Sequence, residues 1–134
     1  MVHASLGHLR KAFLRQRQPT LQQAQCQSLL LFYAVECGLK AAWLTRNRLR
    51  DTSEIEPRLK KGHDLIFWTK VLYLPATITN GRASFRLRSG GARLDVEFAQ
   101  QVWRYGIDVE PADEVALSTW LEQVWDWAKA ELRL

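Results

Sequence analysis

The chain has 134 residues, 47% hydrophobic and 25% charged, with 19 Lys+Arg against 14 Asp+Glu and a formal charge of +5. That balance belongs to a globular protein long enough to bury its own core, and it excludes fibrous, collagen-like and wholly disordered chains. The longest apolar run, Leu29 to Val35, is far short of the ~20 residues a bilayer needs, and no secretory leader is visible, so a cytoplasmic protein without a membrane partner is expected.

The charge is polarised along the chain. Residues 1–50 carry eight basic groups and one acid, residues 51–94 eight and four, and residues 95–134 three and nine. Such a chain either pairs its two ends within the fold or offers a basic face to an anionic partner.

Leu6, Leu9 and Phe13 repeat at i, i+3 and i+7 with Arg10, Lys11, Arg15 and Arg17 between them, which predicts a basic amphipathic helix over 1–18, stopped by Pro19. Thr20-Leu21-Gln22-Gln23 then reads as a capping box. The helix it opens has Leu21, Ala24, Ser28, Leu31/Phe32, Val35, Leu39 and Ala42/Trp43 on one face, and Gly38 on it permits close approach of a neighbouring helix. Cys26 and Cys37 lie ~16 Å apart along its axis and cannot bond to each other. Residues 46–62 form a polar connection that contains Arg46, Arg48 and Arg50.

Asp64 can cap a helix marked by Leu65, Trp68 and Leu72, which Pro75 ends. Residues 76–98 are the least helical stretch. Asn80-Gly81 signals a turn, and alternation about Ser89-Gly90-Gly91 predicts either a basic-tipped β-hairpin or a loop. Arg82, Arg86, Arg88 and Arg93 lie there. Pro111, Asp113 and Glu114 suit the start of a last helix, with Leu117, Trp120/Leu121, Val124/Trp125, Ala128 and Leu132 buried. The expected fold is mainly α: a single domain over 1–134, with a basic helix over 1–18 and an antiparallel helical bundle over 20–134.

The two cysteines and three histidines form no metal-binding spacing, and the glycines form no phosphate loop, so neither metal nor cofactor is expected. Glu36, on an otherwise apolar helix, needs a partner. Lys40 at i+4 can supply it, as can a link across the bundle to His63 or Arg104. The three arginine clusters, at 10–17, 46–50 and 82–93, are the candidate contacts for RNA or an acidic protein surface. Arg58 precedes His63 by a short gap, and the pair suits metal-free RNA cleavage. A histidine can move a proton at a ribose 2′-hydroxyl, and an arginine can stabilise added charge on the phosphate.

Three segments carry a family resemblance. Leu31-Phe32-Tyr33-Ala34-Val35-Glu36-Cys37-Gly38-Leu39-Lys40-Ala41 resembles the first-helix signature of the HEPN superfamily. Gly62-His63-Asp64-Leu65 resembles the GHDL motif of one branch, and Trp103-Arg104-Tyr105 resembles its W-x-x-x-x-R-Y region in compressed form. Together they span about residues 20–130. The resemblance implies a helical bundle, commonly a homodimer, from prokaryotic antiviral or toxin–antitoxin systems. Some members are metal-independent endoribonucleases, which would make Arg58 and His63 the catalytic pair. Others are non-catalytic subunits that dock a larger protein such as a nucleotidyltransferase, and there His63 and Asp64 would be structural, capping the helix and bonding Glu36 or backbone. Active members usually have a polar residue where this chain has Leu59, and their pair usually lies nearer the carboxyl end, where this chain has Arg104-Tyr105.

Overall fold

The computed structural model describes residues 5, 6, 10, 19–55, 63–81 and 83–134, with 19–25 described by backbone alone. Of the expected first helix, Leu6 and Arg10 have helical backbone and are exposed, while Lys11, Arg15 and Arg17 lie outside the described residues. So does Arg82.

The chain is mainly helical with one small antiparallel sheet, in the order α1 (Pro19–Arg46), a 3-10 turn (Thr52–Glu54), α2 (Leu65–Val71), α3 (Ala76–Thr79), β1 (Ser84–Leu87), β2 (Gly90–Asp95), a second 3-10 turn (Val96–Phe98), α4 (Ala99–Arg104) and α5 (Pro111–Glu131). Thr20 lies inside α1 rather than at a cap. Pro19, already helical, suits a first turn, where its missing N–H would have no partner in any case.

Phe32, Val35, Leu39 and Ala42 of α1, all 0% exposed, form the spine of the core. Leu65 and Trp68 of α2 and Leu72 just past it pack on them, as do Val102 and Trp103 of α4 and Leu117, Trp120, Leu121 and Val124 of α5. The Cys26–Arg46 stretch of α1 is long and apolar enough by composition to cross a membrane. In this fold its apolar stripe is the centre of the core. Cys26 and Cys37 carry free thiols.

One expectation is corrected. The main helices do not alternate in direction. Along α1 and α2, Glu36 meets His63, Trp43 meets Trp68 and Arg46 meets Leu72, so residue numbers rise together on both helices. Along α5, Gly38 faces Ala128 and Arg46 bonds Glu131, again in rising order. Short loops force antiparallel neighbours, but here a long polar connection and the 76–98 insertion return the chain to its starting end before each helix begins. Gly38 has the predicted role: a Cβ on it would lie 3.0 Å from the Ala128 Cβ, so α1 and α5 meet at this point.

The insertion is a hairpin. Phe85 pairs with Leu94 and Leu87 with Gly90 around an Arg88-Ser89 turn. Gly90 and Gly91 have φ of 100° and 98°, the left-handed region where a side chain would be strained. The second strand stops at Asp95, where the Val96 amide turns back to the Ala83 carbonyl at 3.0 Å and buries Val96. On its other edge β1 receives residues 108–110, through Arg88 N to Asp108 O and Glu110 N to Arg86 O, both 2.9 Å. At the start of α5, the Glu110 carboxylate caps by accepting from the amides of Ala112 and Asp113.

Three helices end in the same unusual way. The Leu49 amide bonds Leu44 O, Leu74 bonds Thr69 O and Leu134 bonds Lys129 O, each closing the helix one residue after a left-handed position. That position normally falls to glycine, yet here it holds Arg48 (φ 54°), Tyr73 (φ 58°) and Arg133 (φ 58°). An L-residue with a Cβ pays roughly 1–2 kcal/mol for this conformation. Among the described residues, α4 alone ends on a glycine in this slot, Gly106 at φ 65°.

Candidate functional site

The polar residues of the α1 face converge with the entry to α2 and with α4. Residue numbers 33, 36 and 40 fall on one side of a 3.6-residue helix, so Tyr33, Glu36 and Lys40 stand in a column. Glu36 is buried, with 7% of its surface exposed. Its Oε1 lies 2.8 Å from His63 Nδ1 and 3.4 Å from Lys40 Nζ. Two of the three partners foreseen for this carboxylate, Lys40 and His63, therefore meet it.

His63 sits at the mouth of α2, where Asp64 is the N-cap and its carboxylate accepts from the Phe67 amide at 3.1 Å. The imidazole edge packs on Phe32 and Tyr33, with ring centroids 6.0 and 6.1 Å away. Its side chain stays 40% exposed, against 10% for Glu36. One nitrogen is thus held inside by a carboxylate while the ring reaches solvent. That is the arrangement of an acid/base histidine with an orienting group.

Arg104 does not reach Glu36. Its Nη2 donates to the Tyr33 hydroxyl at 2.6 Å and to Gln100 Oε1 at 2.8 Å. The Tyr33 hydroxyl also lies 3.4 Å from Gln100 Oε1, and Gln100 is 3% exposed. Tyr33 links the two halves of the cluster, with His63 against its ring and Arg104 on its hydroxyl. The hydrogen bond to Tyr33, more than anything else, lifts the Arg104 guanidinium above its ordinary pKa, so the cation is permanent. Sequence reasoning missed Tyr33 and Gln100. The signals were their spacings, Tyr33 three residues before Glu36 and Gln100 four before Arg104.

An acidic edge borders the cluster. Burial, and then repulsion from Asp64 and Asp95, raises the Glu97 carboxyl above its ordinary value. A carboxyl whose pKa rises on folding stabilises the fold fully only below its unfolded pKa, and that contribution is lost as pH climbs through the folded value. Glu97→Gln is therefore expected to melt higher than the parent at about pH 7 and together with it at about pH 3, where both side chains are neutral. Thermal unfolding followed at the two pH values checks this.

The arginine clusters divide. Arg46 is committed to the fold: its Nη2 lies 2.7 Å from Glu131 Oε1, its Nη1 donates to the Leu72 carbonyl, and its guanidinium lies over the Trp127 ring at 5.6 Å. Arg93 is committed too, bonding Ser84 Oγ at 2.9 Å and facing Asp113 Oδ2 at 3.5 Å. Thus part of the basic half does pair with the acidic half. Arg50, 90% exposed, shares a weak pair with Glu54. Arg48, Arg86 and Arg88 are exposed. Arg58 lies outside the described residues. Among the described residues, no group of three or more His, Cys, Asp and Glu side chains could hold a metal ion.

Comparison of the chain with protein-family models, with curated proteins and with solved structures finds no match.

Proposed function

We propose that this chain is a HEPN-like, RNA-binding protein of a prokaryotic defence or toxin–antitoxin module. It works in the cytoplasm as a dimer and cleaves RNA without metal at the His63 cluster. The observation that carries the reading is the 2.8 Å contact between His63 Nδ1 and the buried Glu36 carboxylate in a ring that remains 40% exposed. With Nδ1 held, Nε2 is the nitrogen that exchanges a proton with substrate. It removes the proton of a ribose 2′-hydroxyl, the 2′-oxygen bonds the adjacent phosphorus, and the bond to the 5′-oxygen breaks. The products are a 2′,3′-cyclic phosphate and a 5′-hydroxyl end. The leaving oxygen takes its proton from a second acid, which in the family's composite sites comes from the other protomer. Arg104 and Lys40 are the cations at hand for the phosphate charge.

The test is incubation of structured RNA with the parent and with His63→Ala in EDTA. Cleavage by the parent, reduced at least ~100-fold in the variant, is expected for loss of a general acid/base. No cleavage by the parent, or cleavage that survives the substitution, sinks the catalytic claim.

A second reading, a non-catalytic subunit that docks a larger protein, has one observation in its favour. A groove of about 270 Å³ between α1 and α5 is lined by Ala34, Gly38, Trp125, Ala128, Lys129, Leu132 and Leu134. Leu30, 66% exposed, extends this apolar side of α1.

A further inference from the structure

The Arg46 side chain marks the place where three helices end together. It closes α1, donates to the carbonyl of Leu72 just past α2, and pairs with Glu131 at the end of α5. Each helix then turns through a left-handed residue, and those residues are Arg48, Tyr73 and Arg133. All are exposed, Tyr73 at 87%. Among the described residues, no hydrogen bond or ion pair of these three side chains offsets this conformation. An outward side chain adds no packing, and glycine would meet the turn without strain. Strain kept at exposed positions, on one end of the molecule, points to a surface selected for what it touches.

The chemistry of that surface is specific. Tyr73 borders a groove of about 250 Å³ lined also by Lys70, Leu74, Ala76, Thr79 and Asn80, and among the described residues Lys70 is its charged lining residue. A flat aromatic, an amide and a cation around an open groove suit a planar base with its phosphate. Converging helix C-termini bring roughly half a negative charge each. Their last carbonyls, however, are already bonded by the Leu49, Leu74 and Leu134 amides and by Arg46. The full charges of Arg48, Lys70 and Arg133 remain to face an anion.

We propose that this end of the bundle is a single-stranded RNA surface: Tyr73 stacks on one unpaired base, and Arg48, Lys70 and Arg133 hold the neighbouring phosphates. The inference rests on the RNA reading above and deepens it. His63 and Tyr73 lie at opposite ends of α2, roughly 15 Å apart by helical rise, so a strand gripped at Tyr73 can continue toward His63.

The probe is a labelled single-stranded RNA with a 2′-O-methyl backbone, which cannot be cut, titrated at ~50 mM salt and followed by fluorescence anisotropy. Tyr73→Gly is expected to bind about tenfold more weakly and yet melt at a higher temperature. Tyr73→Phe should bind like the parent. On an RNA bearing abasic sites, parent and Tyr73→Gly should converge. Arg48→Gly and Arg133→Gly should each flatten the dependence of log affinity on log salt by about one, also with a higher melting temperature. Undiminished binding by Tyr73→Gly, while the parent binds well, overturns this proposal and leaves the RNA reading standing. A parent that binds no RNA removes the RNA reading itself. Unchanged RNA affinity with loss of self-association in Tyr73→Gly makes the surface a protein contact, and likewise overturns the proposal.

Discussion

Trp120→Ala is expected to lower the free energy of unfolding by about 4 kcal/mol. The indole is 2% exposed and among the largest fully packed side chains of the core. Its Nε1 donates to the Ile78 carbonyl at 2.9 Å, tying α5 to the last turn of α3. Its ring lies so close to Gly81 that a Cβ there would come within 2.9 Å of it. Alanine would leave a cavity and remove the indole's bond to the Ile78 carbonyl, which keeps the Gly81 amide as a donor. Trp120→Phe separates the two effects, keeping most of the volume and losing only the hydrogen bond, for about 1–2 kcal/mol. Equilibrium urea unfolding measures both. A cost below about 2 kcal/mol for alanine would mean that the surrounding core collapses into the space.

Asp113→Ala is expected to lower the unfolding free energy by about 3 kcal/mol, for an electrostatic reason. The carboxylate is 5% exposed, accepts from the Arg86 amide at 2.9 Å and lies 3.5 Å from Arg93 Nη1. It also stands in the first turn of α5, where the helix dipole favours a negative charge. Truncation leaves a strand amide unsatisfied and a guanidinium without its counter-charge. Asp113→Asn retains an acceptor and should cost less. A double-mutant cycle with Arg93→Met isolates the pair, and its coupling should be near 1 kcal/mol or more for groups this close. If the two substitutions add without coupling, Arg93 holds the hairpin through Ser84 alone.

Asp113 also shows where sequence reasoning stops. Its position after Pro111 marks a helix start, and α5 does begin at Pro111. Nothing in that local pattern announces that the same carboxylate binds a strand 27 residues earlier. The hairpin was legible only as one of two alternatives, since alternation around a Gly-Gly pair suits a hairpin but left a loop open. Its early end at Asp95 was not, since residues 96–98 wind into a 3-10 turn that buries Val96 in the core. The same division holds at the site. Glu36 on an apolar face demanded a partner, and Lys40 and His63 were both foreseeable. The attachment of Arg104 to Tyr33 depends on how α4 lies across α1, which no spacing within either helix encodes. Of the three basic clusters, composition located the charges but could not separate Arg46 and Arg93, spent inside the fold, from Arg48, Arg86 and Arg88 on its surface. Helix direction was the largest miss. The long stretches 46–62 and 76–98 permitted parallel neighbours, and patterning along single helices is blind to direction.

That shared direction has a kinetic side. In an up-and-down bundle each helix meets the next as soon as a short loop closes. Here α1 meets α5 only after the hairpin and α4 have been traversed, and even α2 must be brought back along the whole polar connection. Most of the entropy of ordering the chain is therefore lost before the pairings that reward it can form. A helical protein of this topology should refold on the slower scale of mixed α/β domains, with its transition state organised around the Gly38–Ala128 crossing rather than around any neighbouring pair of helices.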